Sequence, residues 1–276
     1  MLVSLATAAR PGGVNEDFAL AGSDAVVVLD GAGLPDVLDT GCVHGVPWFV
    51  RTLGAMLHSR AADPRASLTE CLADAILGTS QAHSTMCDLG NPFTPSATVA
   101  VARVHGEFLE WLVLADTTVA VRLPTTVEII ADHRVSQITG AQHAALAADL
   151  RSLRPSERTT ALARAQREVM NTVDGYWVAA ADPAAAEESL TGAARLSDVR
   201  SAAILTDGAA RAVDDFDTLT WPDLLEDLEE YGPRRIINRT RELERSDPTC
   251  LRWPRSKCHD DATAVLLQWE HARPPT

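Results

Sequence analysis

Short aliphatic runs recur along the chain at residues 25–29, 98–104, 108–114, 127–130, 202–205 and 263–269. Their length and their Val, Leu and Ile content predict strands. Between them the apolar positions change to helical spacing. In 46–60, Phe49, Val50, Leu53, Met56 and Leu57 fall on one helix face. Residues 68–86 are rich in Ala and Leu and follow Asp63-Pro64, a helix start signal. Residues 137–150 and 156–170 predict a second pair of helices broken at Pro155, and 219–243 predict helix interrupted at Gly232-Pro233. Blocks of strands alternate with blocks of helices, so the pattern predicts an α+β layered fold rather than a doubly wound parallel sheet. No internal repeat is visible, and residues 273–276 read as a frayed tail.

The length of 276 residues fits one domain spanning 1–276. A formal net charge of −14 argues against nucleic acid or an anionic membrane as partner, since both require a basic face. No apolar run reaches bilayer length, and residues 1–5 lack the features of a signal peptide, so the expected location is the cytoplasm. The five cysteines are odd in number and irregular in spacing, which predicts free thiols and no disulfide framework. Cys250, Cys258 and His259 lack the CxxC pair that would mark a zinc site. Trp48, Trp177 and Trp253 are expected to pack in the core.

The placement of the acids changes the picture. Three apolar runs end in aspartate, at Asp30, Asp116 and Asp207, and glycine follows two of these, Gly31 and Gly208. Asp260-Asp261 precede the run at 263, and Glu16-Asp17 precede Phe18-Ala19-Leu20. Strand ends of one layer share an edge, where side chains distant in sequence converge. Carboxylates gathered there repel unless a positive charge sits among them. Such hard oxygen ligands suit magnesium or manganese. Taken singly, an Asp-Gly at a strand end also serves to start a turn.

These residues, in order from Arg10 to Trp269, resemble the type 2C (PPM) metal-dependent Ser/Thr protein phosphatases. Asn15-Glu16-Asp17 resembles the first acidic motif and Asp30-Gly31 the aspartate-glycine motif. Ser96-Ala97-Thr98-Val99-Ala100 is similar to the small-residue motif that opens a central strand. Ala115-Asp116-Thr117-Thr118 resembles glycine-aspartate-serine, and Asp132-His133 the step that follows it. Thr206-Asp207-Gly208 resembles serine-aspartate-glycine, and Asp260-Asp261-Ala262-Thr263 the closing aspartate-asparagine motif.

The resemblance implies a four-layer α-β-β-α sandwich of two mainly antiparallel sheets, with a variable flap-like region at about 134–201. It implies two divalent ions, Mn2+ or Mg2+, and a weaker third position. Asp17 and Asp30 would be central ligands, with Asp30 bridging. The Gly31 carbonyl, Asp207 and Asp260 would complete the shells, Glu16 would act through water, and Asp116 would serve the third position. The family's phosphate-gripping arginine falls at Gly12 here, leaving Arg10 as the nearest candidate, and the histidine of eukaryotic members is replaced by Ala32. The candidate proton donors to the leaving group are His44, His259 or a metal-bound water.

The expected reaction is in-line attack on phosphorus by water activated between two ions. The chain has no Cys-x5-Arg loop, GxSxG elbow, Walker loop or HExxH helix that would suggest another chemistry. The expected substrate is a phosphoserine or phosphothreonine protein, with a Ser/Thr kinase opposing the enzyme, which is expected to be a monomer. Two alternatives remain open: a phosphatase-fold regulatory or binding module with little turnover, and a phosphatase of a small phosphorylated metabolite.

Overall fold

Val26, Val27, Val28 and Leu29 are all fully buried. A strand with no polar alternation must be covered on both faces, and this run lies in such a strand. In the computed structural model, which describes residues 1–35, 37–150, 153–255 and 257–269, ten strands form two five-stranded sheets. One sheet runs in the order β1 (Leu2–Ala8), β10 (Ala262–Gln268), β9 (Ser201–Leu205), β6 (Thr118–Arg122), β7 (Val127–Ile130). The other runs β2 (Phe18–Ala21), β3 (Ala25–Gly31), β4 (Ala97–His105), β5 (Phe108–Leu114), β8 (Leu190–Arg195). Every pairing is antiparallel.

Side-chain period 2 sorts the core into three slabs. Val26 and Val28 of β3, with Ala100, Ala102 and Val113, meet Val119, Val121, Ile204, Val265 and Leu267 between the sheets. Val27 and Leu29 point the other way, onto α1 (Val46–Ala61) and α2 (Leu68–His83). Across the molecule, Ala203, Leu205, Ala264 and Leu266 pack against α5 (Asp207–Asp214), α6 (Trp221–Tyr231) and α7 (Pro233–Ser246). The result is the four-layer sandwich that the resemblance implies. Local chemistry sets the helix limits. Ser67 and Glu70 form a capping box at the start of α2, and Thr220 with Asp223 does the same for α6. Gly232, at φ 79°, ends α6 and starts α7.

Several elements depart from the expectations. β1, β2, β6, β8 and α5 carry too little aliphatic pattern to be predicted: β1 and β8 are half-exposed edge strands, and β6 spans only five residues. The 134–201 region, expected to be flap-like, is built of several elements. It holds α3 (Arg134–Leu150) and α4 (Pro155–Val169), but its end returns to the sheet, where β8 pairs with β5. Cys250 and Cys258 are paired as a disulfide within one loop, with Cα atoms 6.0 Å apart, contrary to the free thiols expected there. Cys42, Cys71 and Cys87 are free. Trp48 and Trp177 pack against the core, and Trp253 meets the ring of Phe216 edge to face. No helix among the described residues is long and apolar enough to cross a membrane. Residues 273–276 lie outside the described residues.

The slab beneath α1 and α2 should respond sharply to truncation. Leu53 is fully buried in it, whereas Leu77 of α2 is 45% exposed. Leu53→Ala is expected to cost about 2–5 kcal/mol of unfolding free energy, and Leu77→Ala no more than about 0.5 kcal/mol. Urea denaturation of both variants checks this, and equal effects would count against the layering.

Candidate active site

The register gathers the acids. Pairs Phe18–Leu29, Gly31–Ala97 and Val99–Leu114 put the start of β2, the end of β3, the start of β4 and the end of β5 at one end of their sheet. Pairs Ala8–Ala262, Ala264–Leu205 and Thr118–Leu205 do the same for β1, β10, β9 and β6. The two ends are tied together through Asp17. Its Oδ2 accepts from Thr206 Oγ1 at 3.0 Å, one residue past β9, and from Thr263 Oγ1 at 2.7 Å, in β10 of the opposite sheet. With its one proton on Asp17, the Thr263 hydroxyl accepts from Thr7 Oγ1 at 2.8 Å, and Thr7 Oγ1 accepts from Asn15 Nδ2.

A cleft of about 150 Å³ opens at this end. Asp30, Gly31, Asp116 and Asp207 line it, with Ser96 and Thr98 from β4 and its approach, Lys257, and Arg167, Met170, Tyr176 and Val178 from α4 and the segment after it. Asp17 lies beneath, 7% exposed. Neither glycine after an aspartate makes a tight turn. Gly31 ends β3, where an added Cβ would meet the Glu16 carbonyl oxygen at 2.5 Å, and at Gly208 it would strike the Asp261 carbonyl. Both glycines permit close backbone approach. Ala115 has φ 70°, a left-handed conformation that costs an L-residue about 1–2 kcal/mol. It sits where the resembling motif carries glycine, just before Asp116.

The charges are unevenly compensated. Burial pushes Asp17 up to about 8; the two threonine hydroxyls oppose that rise, and Asp207 and Asp261 add to it. Asp30 is raised well above the ordinary carboxylate range, first by burial, then by Asp17, Asp207 and Asp260. Asp116 is pushed up to about 7 by burial and by Asp207. Asp260 is partly neutralised: Lys257 Nζ lies 3.1 Å and Arg211 Nη2 3.2 Å from its Oδ2. Burial works against the charge of Lys257, but Asp260, Asp207 and Asp30 overcome it and raise its pKa. Asp261, adjacent to Asp260, faces Arg10 instead, whose Nη1 reaches Asp261 Oδ2 at 2.9 Å and Glu16 Oε2 at 3.1 Å.

The residues fit divalent cations. Asp17 Oδ1 is buried with no hydrogen-bond partner among the described residues, an expensive state for a carboxylate oxygen unless a cation meets it. The donors around it are all hard oxygens. The structure thus brings Asp17, Asp30, Gly31, Asp116, Asp207 and Asp260 to one end, with Glu16 beside them in the grip of Arg10. It does not bring the histidines. His259 Nδ1 is 2.8 Å from the fully buried Glu244 Oε2, outside the cleft lining. His44 stands in a separate cluster with Cys42, His83 and Cys87.

Sequence reasoning missed Arg167, Lys257 and the threonine bridge. Thr206 and Thr263 carried a signal, since each lies within two residues of a motif aspartate. Arg167 carried none: it comes from α4 and reaches the cleft only by folding. Its side chain is nine-tenths buried, and its Nη2 has no hydrogen-bond partner among the described residues. Burial lowers its pKa, and no carboxylate answers the charge.

No family model matches the sequence, and no curated protein matches it. Solved structures do match the fold. The Mycobacterium tuberculosis serine/threonine phosphatase PstP/Ppp aligns with 98% of this chain and 99% of its own, at 15% identity and a TM-score of 0.58. PppA of Pseudomonas aeruginosa, a key regulatory component of T6SS, covers 97% of this chain and 96% of its own, at 16% identity and TM-score 0.57. The Staphylococcus aureus serine/threonine phosphatase Stp1 covers 98% and 95%, at 13% and 0.55. The chain therefore has the fold of the PPM Ser/Thr phosphatases.

The raised carboxylates fix the sign of a pH effect. Without metal, Asp17 and Asp116 hold protons in the folded chain up to about 8 and about 7, but lose them near pH 4 when unfolded. The metal-free protein is therefore expected to lose stability as pH rises from about 4 to about 8. Manganese should restore it increasingly over the same range. Melting temperatures in chelator and in manganese, measured across this interval, test the claim; a gap between them that does not widen with pH would refute it.

Proposed function

We propose that the chain is a metal-dependent phosphatase of phosphoserine and phosphothreonine proteins. The observation that carries this reading is the gathering of Asp17, Asp207 and Asp260 around Asp30, with Asp30 and Asp207 lining one small cleft, in a PPM-type fold. Asp30, Asp17, the Gly31 carbonyl, Asp207 and Asp260 would hold two Mn2+ or Mg2+ ions, with Glu16 acting through water and Asp116 serving a third. When bound, such ions neutralise phosphoryl charge and supply an activated water.

The chain's own groups do the rest. Arg167, with its buried and unpartnered Nη2 on the cleft wall, is suited to receive a phosphoryl oxygen, the role the family assigns to an arginine near position 12. Arg10 has its Nη1 committed to Glu16 and Asp261, so it positions the Glu16-Asp17 segment rather than gripping phosphate. Thr206 and Thr263 fix Asp17 Oδ2 and thereby aim Oδ1. His259 is engaged by Glu244 and has no part in this reading. The substrate's protein portion would lie outside so small a cleft. We further read the protein as a cytoplasmic monomer opposing a Ser/Thr kinase, its acidic charge keeping it off nucleic acid and membranes.

One observation favours a second reading. Asp260 is already answered by Lys257 and Arg211, which weakens its pull on a cation and suits a phosphoprotein-binding module with slow turnover. Assay of manganese-dependent phosphate release from a phosphopeptide and an aryl phosphate separates the two. Wild type should turn over and Asp30→Asn should be silent. Arg167→Ala should lower kcat/KM by roughly 10- to 100-fold, the worth of a charged hydrogen bond. Binding of the phosphopeptide with no release by wild type would favour the module.

A further inference from the structure

The segment from Ala32 to Gly45 joins β3 to α1 and contains no helix or strand among its described residues. Loops of this length without structure of their own are uncommon in a packed domain and need something to hold them. Near its far end stand Cys42 and His44. Facing them are His83, the last residue of α2, and Cys87, four residues further on. One ligand atom from each of the four lies within 4.8 Å of all the others.

Four of the six ligand-to-ligand separations can be compared with the edges of a tetrahedral shell, and all six lie within 4.8 Å. Cys87 Sγ is 3.4 Å from Cys42 Sγ and 3.3 Å from His44 Nδ1. Cys42 Sγ is 3.6 Å from His83 Nδ1 and 3.9 Å from His44 Nδ1. Zinc with bonds of about 2.3 Å to sulfur and about 2.0–2.1 Å to nitrogen sets ligand-to-ligand edges of roughly 3.3–3.8 Å. The chemistry of the set also selects the metal. Two thiols and two imidazoles suit zinc, whereas the all-oxygen cleft suits manganese or magnesium.

The frame around the four ligands is built independently of any ion. Asp88 N donates to the Gly41 carbonyl at 2.8 Å, and Asn91 Nδ2 donates to the Asp39 carbonyl at 3.1 Å, so the two ligand-bearing segments are already tied. Cys87 N closes a turn onto the His83 carbonyl. Trp48 stacks on His44 with ring centroids 4.3 Å apart and meets His83 at 5.1 Å, fixing both rings. The end of α2 presents carbonyls, a favourable place for a cation.

We propose that Cys42, His44, His83 and Cys87 bind one zinc ion as a structural site separate from the acidic cleft. Four protein ligands close a tetrahedral shell, so the site has no open position for a substrate. Its role is to anchor the loop whose first residues, Ala32 and Leu34, line the cleft. The inference does not depend on the phosphatase reading.

Cobalt reports on such a site because thiolate-to-cobalt charge transfer cannot come from carboxylates. The reduced, metal-free, full-length protein is to be titrated with Co2+ after its thiols are shown to be free. The expected result is a near-ultraviolet thiolate band with tetrahedral visible bands, saturating at one equivalent and bleached by one equivalent of Zn2+. Asp30→Asn and Cys250→Ser/Cys258→Ser should keep the band, and Cys42→Ser/Cys87→Ser should lose it. Absence of the band from the wild-type protein would overturn the proposal whether or not any variant folds. So would a band that survives loss of Cys42 and Cys87, or one that vanishes with Cys250 and Cys258.

Discussion

The mutual repulsion of buried carboxylates is the constraint around which this molecule is arranged. Asp17 just before β2, Asp30 at the end of β3 and Asp207 at the start of α5 come from distant parts of the chain, and their charges meet at Asp30, with Asp17 buried, Asp30 half-buried and Asp207 on the open side. A fold tolerates such a cluster only if its backbone is fixed by interactions that the cluster does not supply. Here they come from the two sheets. β3, β4 and β5 on one side, and β6, β9 and β10 on the other, carry buried apolar residues on both faces and are paired to their neighbours at the cleft end. The hydrophobic slabs supply the stability, and the strand ends carry the charge.

Compensation falls at the edge of the cluster and not at its centre. Arg10 answers Glu16 and Asp261; Lys257 and Arg211 answer Asp260; two threonines answer one oxygen of Asp17. The fully buried Glu244 extends this outer ring, accepting from Arg211 and Arg241 and facing His259. Among the described residues Asp17 Oδ1 is left buried without a hydrogen-bond partner, while Asp30 feels repulsion from three aspartates. An outer ring of this kind keeps the carboxylates in place and directs the residual field inward. It also accounts for the position of His259, which a reading by sequence adjacency to Asp260 sets near the ions.

Much of the fold was legible because the aliphatic runs of the central strands are unbroken, and α1 and α2 show their apolar faces plainly. The edge strands were not legible: β8 reads Leu-Thr-Gly-Ala-Ala-Arg and is half solvated, so its pairing with β5 depends on tertiary context. At the site the acids were legible because each punctuates an apolar run. The cations were not. Lys257 and Arg167 sit in polar stretches that resemble any solvated segment, and their environment arises only when the loop before β10 and α4 close over the cleft. The Cys-His cluster escaped for a related reason. A search for paired cysteines fixes on Cys250 and Cys258, whereas the ligands that converge are joined by mixed spacings, Cys-x-His and His-x3-Cys, on elements that meet only in the folded chain.

Ala115 shows how the site's demands reach into the local backbone. A glycine there would adopt φ 70° without strain, and alanine accepts a cost of about 1–2 kcal/mol. The conformation persists because both sides of the residue are pinned: β5 is laddered to Leu114, and the Ala115 carbonyl accepts from Asp132 N at 3.1 Å. Asp132 is itself held by Arg134, which also reaches Glu188. The strain is therefore maintained by the same segment that leads into α3 and the helices over the cleft. Asp116 is thereby joined to the segment leading into α3 through one strained residue as well as to the sheet through β5.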